Sequence, residues 1–300
     1  MKSIMMLIAC GLLWGSQYIF NAIALESIPA LWIAALRSGI GALVLIVACY
    51  FLGLKREPGH WRLLIVIGLL EATLPFLLVA WGQQTTAAAH AAVITGMNPL
   101  LTILLAPLLL KDSEFSVKGV VCGLIGFGGL LYLFLPQLQT QSTSQFVGAA
   151  AIFIAALSFA LSLILVRKLA HLHPVVVARD VIAISAVQLL PLAVLFSPLD
   201  VAQIKLEAVL ASSYLGVFCG GVVYILFMQL IMSKGPAFAS FSNYLVPTVG
   251  VLLSYLISDQ VFDARLPVSL GIIMCAIFVY QYQGRRGSTK GSVSSALQSS

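Results

Sequence analysis

Apolar runs of about twenty residues recur along almost the whole chain, and this pattern constrains the fold more than any other feature. A helix that crosses a bilayer needs about 20 consecutive, predominantly apolar residues. Ten such runs can be counted between short polar breaks, at 3–24, 31–53, 62–82, 87–110, 117–135, 146–166, 174–196, 208–232, 236–258 and 267–283. The pattern predicts an all-α integral membrane protein with ten transmembrane helices.

Composition excludes the soluble alternative. The chain is 61% apolar and 9% charged, whereas soluble domains are about 45–50% apolar and about 25% charged. The net charge of +6 comes from basic residues scattered between the apolar runs rather than gathered in one patch, so we expect no nucleic-acid partner. All five cysteines lie inside apolar runs without a Cys-x-x-Cys or Cys/His spacing, and we expect neither a disulfide nor a metal site.

Lysine and arginine predict the orientation in the membrane. With a cytoplasmic N-terminus, twelve of them fall on the inner side and only Lys205 and Arg265 on the outer side. This bias follows the positive-inside rule. It predicts that both the N- and C-termini are cytoplasmic.

The two halves of the chain repeat one another weakly. Pro29 immediately precedes the second span, and Pro174, 145 positions later, begins the seventh span. Pro99 in the fourth span corresponds to Pro247 in the ninth span, 148 positions later. Each half contains five spans, an odd number, so the second half enters the membrane in the opposite sense. Inverted repeats are typical of secondary transporters, whose substrate site lies near the midplane between the halves. The predicted divisions are a first repeat at 1–135, a linker loop at 136–145, a second repeat at 146–283 and a disordered cytoplasmic tail at 284–300.

Several short motifs occur in a fixed order along both halves. They are Leu13-Trp14-Gly15, Arg37, the mid-span Pro99 and Pro247, the acidic turns Lys111-Asp112-Ser113-Glu114 and Ser258-Asp259-Gln260, and Gly123 and Gly271. With the five-plus-five layout, these motifs resemble the drug/metabolite transporter (DMT) superfamily, EamA type. The resemblance implies a bacterial inner-membrane carrier that exports amino acids or other small metabolites by alternating access. It also implies a central cavity built from spans one, three, four, six, eight and nine.

Glu71 is the most informative single position because it lies deep inside span three. A carboxylate at the centre of a span costs about 2.5–3.5 kcal/mol on insertion scales, so it should face a cavity, pair with a cation or be protonated. Arg37 in span two is the candidate cation, and the two residues are our candidates for proton coupling or an ion pair. A structural ion pair or a hydrogen-bonded neutral carboxyl is the alternative to a functional role.

Helical spacing gathers other polar residues into stripes that lipid would not accommodate. We expect a substrate cavity lined by Trp14, Gln17, Tyr18, Glu71, His90, Asn98, Tyr224, Gln229, Asn243 and Tyr244. For serine and threonine in the spans we favour hydrogen bonds between helices. Arg179 and Asp180, near the cytoplasmic end of span seven, are candidates for a gate, with an interfacial ion pair as the alternative.

The remaining expectations concern activity and partners. The sequence has neither a GxxxxGK[ST] nor an HExxH motif and no nucleophilic cluster, so we expect no enzymatic activity, no catalytic residues and no cofactor. The alternatives to a carrier are an intramembrane lipid-modifying enzyme and a channel for small solutes. Expected partners are a small-molecule substrate, the lipid bilayer and protons, with the chain a monomer or weak homodimer. Proton antiport through Glu71 and facilitated diffusion both stay open at this point.

Overall fold

The computed structural model describes residues 2–55, 59–82, 85, 88–110, 113, 115–135, 146–257 and 264–280. Within this part of the chain, nine helical stretches are long and apolar enough to cross a membrane, and a tenth helix, Arg265–Tyr280, is apolar but shorter. The protein is therefore an all-α integral membrane protein, as predicted. The predicted linker 136–145, the tail 284–300 and most of the two acidic turns lie outside the described residues.

The nine candidate membrane spans and the shorter apolar helix are numbered spans 1 to 10 in chain order. They comprise Lys2–Leu25; Ala30–Phe51; Trp61–Gly68, Leu69–Thr73 and Leu74–Gly82; Ala88–Thr95 and Asn98–Leu109; Val117–Phe134; Phe146–Arg167; Pro174–Phe196; Leu206–Tyr214, Leu215–Val222 and Val223–Lys234; Pro236–Ser240 and Ser242–Ile257; and Arg265–Tyr280. Large apolar side chains such as Leu43, Tyr50, Val187 and Phe196 remain exposed on the outside of this bundle. A bilayer would cover them, which is why a chain so poor in charge can fold this way.

Four of the predicted continuous spans are interrupted. Spans 3 and 8 each contain a π-helical segment, Leu69–Thr73 and Leu215–Val222. Span 4 breaks at Gly96 and Met97, and span 9 breaks at Phe241. The interruptions thus fall in the third and fourth spans of each half, at matching places. Insertions of this kind shift the helical register and leave carbonyl groups without their usual intrahelical partners.

Contacts between the halves follow a swapped pattern. Span 1 packs against spans 8 and 9, and its counterpart span 6 packs against spans 3 and 4. Span 2 likewise packs on spans 7 and 8, and span 7 packs on spans 2 and 3. Each contact is matched by another when the halves are exchanged, as expected for two repeats related by a pseudo-two-fold axis.

The backbones of spans 2 and 8 approach most closely at a pair of glycines. A β-carbon on Gly220 would lie 2.5 Å from the carbonyl oxygen of Arg37, and one on Gly41 would lie 2.6 Å from the carbonyl carbon of Gly220. Small residues permit this kind of approach between helices in a membrane. Because Gly220 belongs to the π segment of span 8, this segment packs directly against span 2.

Candidate functional site

Glu71 lies in the π segment of span 3 and is 1% exposed. Its carboxyl group accepts a hydrogen bond from the Ser162 hydroxyl of span 6. The hydroxyl of Tyr224, on span 8, lies close to the same carboxyl group. A carboxyl group from the first half of the chain is therefore enclosed by two hydroxyl groups from the second half.

The π segment that carries Glu71 is held by serines from neighbouring helices. Ser158 of span 6 donates to the carbonyl oxygen of Leu70 at 2.8 Å, and Ser185 of span 7 donates to that of Gly68 at 3.0 Å. The register shift makes these carbonyls available, and the serines satisfy them. Buried backbone acceptors that are satisfied in this way fix the position of the adjacent carboxyl group. The expected role of Ser158 in bonding between helices is confirmed.

Trp14 connects span 1 to the same site. Its indole ring meets the rings of Tyr224 and Phe227 edge to face, with centroids 5.6 and 4.7 Å apart. Its Nε1 donates to the carbonyl oxygen of Cys219 at 3.1 Å. Cys219 lies in the π segment of span 8, so in both halves a π segment presents a carbonyl to a side chain from another span.

Arg37 has partners different from the one expected. Its guanidinium donates to Oε1 of Gln17 at 2.8 Å and to the carbonyl oxygen of Cys219 at 3.1 Å, and it stacks 5.0 Å from the centre of the Phe76 ring. Within the described part of the chain, Arg37 and Glu71 form no ion pair, and that hypothesis was wrong. The physical reason is that Gln17 and the Cys219 carbonyl of the π segment accept from the two terminal nitrogens of the guanidinium, while its buried Nε has no hydrogen-bond partner among the described residues.

A second polar contact joins spans 4 and 9 next to their breaks. Nδ2 of Asn243 donates to Oδ1 of Asn98 at 2.9 Å, and Nδ2 of Asn98 donates to the carbonyl oxygen of Ala156 at 3.2 Å. Asn98 is 2% exposed. Both asparagines follow the interruption of their span by one or two residues, so the broken helices of the two halves meet through their side chains.

Tyr244 lies beside this contact but points towards span 5. Its hydroxyl donates to the carbonyl oxygen of Gly123 at 2.7 Å, and its side chain is fully buried. A β-carbon on Gly126 would lie 2.6 Å from the tyrosine ring, so glycine at that position leaves room for the ring. Gly126 is thus used for packing within the chain.

The other candidate residues are more scattered. The side chains of Tyr18 and His90 lie outside the described part, although both residues belong to described helices. Gln229 is exposed on span 8 and lies apart from the enclosed Tyr224. Arg179 and Asp180 bond to each other as neighbours, with Nε and Oδ1 2.8 Å apart. Among the described residues, no group of three or more His, Cys, Asp or Glu side chains could hold a metal ion.

Sequence reasoning missed the importance of two groups at the site. Ser162 was expected only to bond between helices, and Cys219 was one of five cysteines for which no disulfide or metal site was expected. In the structure Ser162 donates to Glu71, and the Cys219 carbonyl accepts from Trp14 and Arg37. Repeat spacing offers a signal for Cys219, since it lies 148 positions after Glu71, the same separation as Pro99 and Pro247.

Comparison with known proteins identifies the same family that the motifs suggested. The model of the EamA-like transporter family matches residues 1–135 and again residues 146–281. The uncharacterized transporter YoaV of Bacillus subtilis (strain 168) is 22% identical over 286 residues, covering 93% of this chain and 96% of that protein. The uncharacterized inner membrane transporter YedA of Escherichia coli (strain K12) is 26% identical over 280 residues, covering 90% and 88%.

A solved structure shares the fold. A protein crystal structure that is 20% identical in sequence superposes with a TM-score of 0.81 and covers 95% of this chain and 98% of the other. At this identity the likeness concerns the arrangement of helices alone. The sequence match over both halves carries the assignment, and the chain belongs to the EamA-like transporter family.

Proposed function

We propose that this protein is a secondary transporter that exports amino acids or related small metabolites across the bacterial inner membrane by alternating access. Membership of a transporter family supports the general activity. A relative described as an inner membrane transporter supports the location. Transporter names among the relatives also favour a carrier over the lipid-modifying enzyme.

The enclosure of Glu71 is the observation that carries the proposal. The carboxyl group belongs to the first half, whereas Ser162 and Tyr224 belong to the second. A rocking motion between the halves would separate Glu71 from these hydroxyls and expose it to one aqueous phase. Ionisable groups inside a membrane bundle are costly and mark substrate or proton pathways.

The chemistry of the site suits a ligand with an amino group or a proton. When Tyr224 and Ser162 withdraw, the Glu71 carboxylate would accept hydrogen bonds from a primary amine or take up a proton instead. The indole ring of Trp14, which belongs to the same half as Glu71 and packs on Tyr224 and Phe227 in the enclosed state, would supply an apolar wall beside it. An aromatic face also attracts a cation, by about 0.5–2 kcal/mol.

Counterflow in proteoliposomes tests the proposal. Vesicles containing purified protein are loaded with one amino acid at millimolar concentration, and uptake of the same labelled compound is followed against empty liposomes. We expect at least one amino acid or amine-bearing metabolite to give saturable, transient accumulation. Single-channel currents with unsaturable flux would instead favour the channel, and no counterflow with any compound of this class would contradict the proposal.

A further inference from the structure

Two histidines from different halves of the chain meet at one face of the membrane. His60 precedes span 3, and His171 lies in the loop between spans 6 and 7. Their Nε2 atoms are 3.3 Å apart and their ring centroids are 5.0 Å apart. The distribution of Lys and Arg predicts that this face is cytoplasmic.

The corresponding junction on the opposite face is an ion pair. Nζ of Lys205 lies 2.8 Å from Oε2 of Glu26, and the Lys205 amide donates to the Ser27 hydroxyl at 3.0 Å. The hydrogen bond that Lys205 donates to the Glu26 carboxylate raises the pKa of Lys205. Positions 26 and 171 are separated by 145, as are positions 60 and 205. The same place in the inverted architecture is therefore filled by an ion pair on one face and by two imidazoles on the other.

The separation of the two Nε2 atoms fits joint coordination of a metal ion. Zinc binds imidazole nitrogen at about 2.0–2.1 Å with tetrahedral angles. Two nitrogens on such an ion are about 3.3–3.4 Å apart by that geometry. The observed 3.3 Å agrees with this separation without movement of the loops.

Access to the pair also suits an exchangeable ion. His171 is exposed and His60 is partly exposed, so a hydrated ion can approach and retain water at its remaining positions. His173, two residues further on, is already engaged, because its Nδ1 accepts a hydrogen bond from the Val175 amide at 3.3 Å at the start of span 7. The two facing imidazoles are thus the natural ligands.

We propose that His60 and His171 together bind a divalent transition-metal ion such as Zn²⁺ or Ni²⁺ and that the ion links the two halves at this face. A ligand that binds one conformation stabilises it by RT ln(1 + [L]/Kd). The ion therefore favours the state in which these two loops touch. An ion that favours one state should also slow transport, and this effect rests on the proposed transport function. Binding of the ion itself does not depend on that function.

Isothermal titration calorimetry with ZnCl₂ on the full-length protein in detergent, purified through a tag free of histidine, tests the site. We expect His60→Ala and His171→Ala each to weaken binding by about tenfold or more, since even outer partners of metal sites contribute about 10- to 100-fold. His173→Ser, which keeps an N-cap acceptor, serves as the matched control and should bind as the wild type does. Wild-type affinity in both alanine variants, or no binding by the wild type, would overturn the proposal.

A second measurement covers variants that fold poorly. Zn²⁺ should raise the thermal unfolding midpoint of the wild type and of His173→Ser but leave that of His60→Gln and His171→Gln unchanged. An equal rise in all four proteins would place the ion elsewhere and contradict the site. If Zn²⁺ binds at the histidines but no transport is detected, the metal site stands and the transport proposal fails.

Discussion

Asn243 donates a hydrogen bond of 2.9 Å to Asn98, and these two residues stand 145 positions apart at corresponding breaks in spans 9 and 4. The contact joins the broken helices of the two halves at a point where each has lost part of its intrahelical bonding. Discontinuous helices at matching positions of inverted repeats are a usual location for transporter binding sites. The energy of the hydrogen bond between the two asparagines therefore contributes to the stability of this arrangement of the two halves.

A double-mutant cycle should measure this contact. Asn98→Ala, Asn243→Ala and the double variant should show a coupling energy of about 0.6 kcal/mol, the average for side-chain hydrogen bonds between membrane helices, and at most about 1.7 kcal/mol. Unfolding free energies in mixed detergent provide the measurement. Additive effects of the two substitutions would show that the bond contributes no stability.

Gly41 should tolerate substitution much less than Gly39, two residues earlier on the same helix. A β-carbon at Gly41 meets the backbone of Gly220, whereas one at Gly39 finds no atom within 4 Å. Gly41→Ala should cost about 1–3 kcal/mol, as overpacking typically does, and Gly39→Ala should be nearly neutral. Thermal unfolding of the two variants in the same detergent checks the difference, and equal midpoints would contradict the close approach of spans 2 and 8.

Arg37 should not be replaceable by lysine. Its guanidinium bonds Gln17 and the Cys219 carbonyl at once, and an ammonium group lacks the planar fork that permits this geometry. Arg37→Lys should destabilise the protein by about 1–3 kcal/mol, the cost of leaving a buried polar group unsatisfied. Arg62→Lys is the matched control, because Arg62 is exposed beside Trp61. Similar unfolding midpoints for both variants would contradict the proposed network.

The fold was predictable because each helix that crosses a membrane requires a long apolar run, and such runs are easily recognised in a sequence. The length of the apolar runs identified the helices, and the separation of Pro29 from Pro174 pointed to the repeat before any contact was known. The sequence also placed Glu71 far inside the third apolar run, and in the structure this carboxyl group is 1% exposed. These features depend on local composition, which a single sequence contains in full.

The hydrogen-bond partners of the polar residues were harder to predict from the sequence. The sequence places Arg37 and Glu71 within their apolar runs but does not fix the rotation of each helix about its axis. Because of this rotation, Arg37 bonds Gln17 instead of Glu71. The π segments of spans 3 and 8 shift this rotation without a distinctive residue pattern, and they create acceptors such as the Cys219 carbonyl. His60 and His171 are 111 positions apart, so only the folded chain brings them together.

The central claim is that Glu71 carries substrate or protons between the two halves. Counterflow in proteoliposomes containing Glu71→Gln tests it most directly, with Glu207→Gln as the control because Glu207 is an exposed carboxylate at the start of span 8. Glutamine keeps the size and hydrogen bonding of the side chain but neither ionises nor takes up a proton. We predict that Glu71→Gln lowers the counterflow rate and abolishes its pH dependence, while Glu207→Gln retains the wild-type rate and pH profile. An unchanged rate and pH profile in correctly folded Glu71→Gln protein would contradict the account.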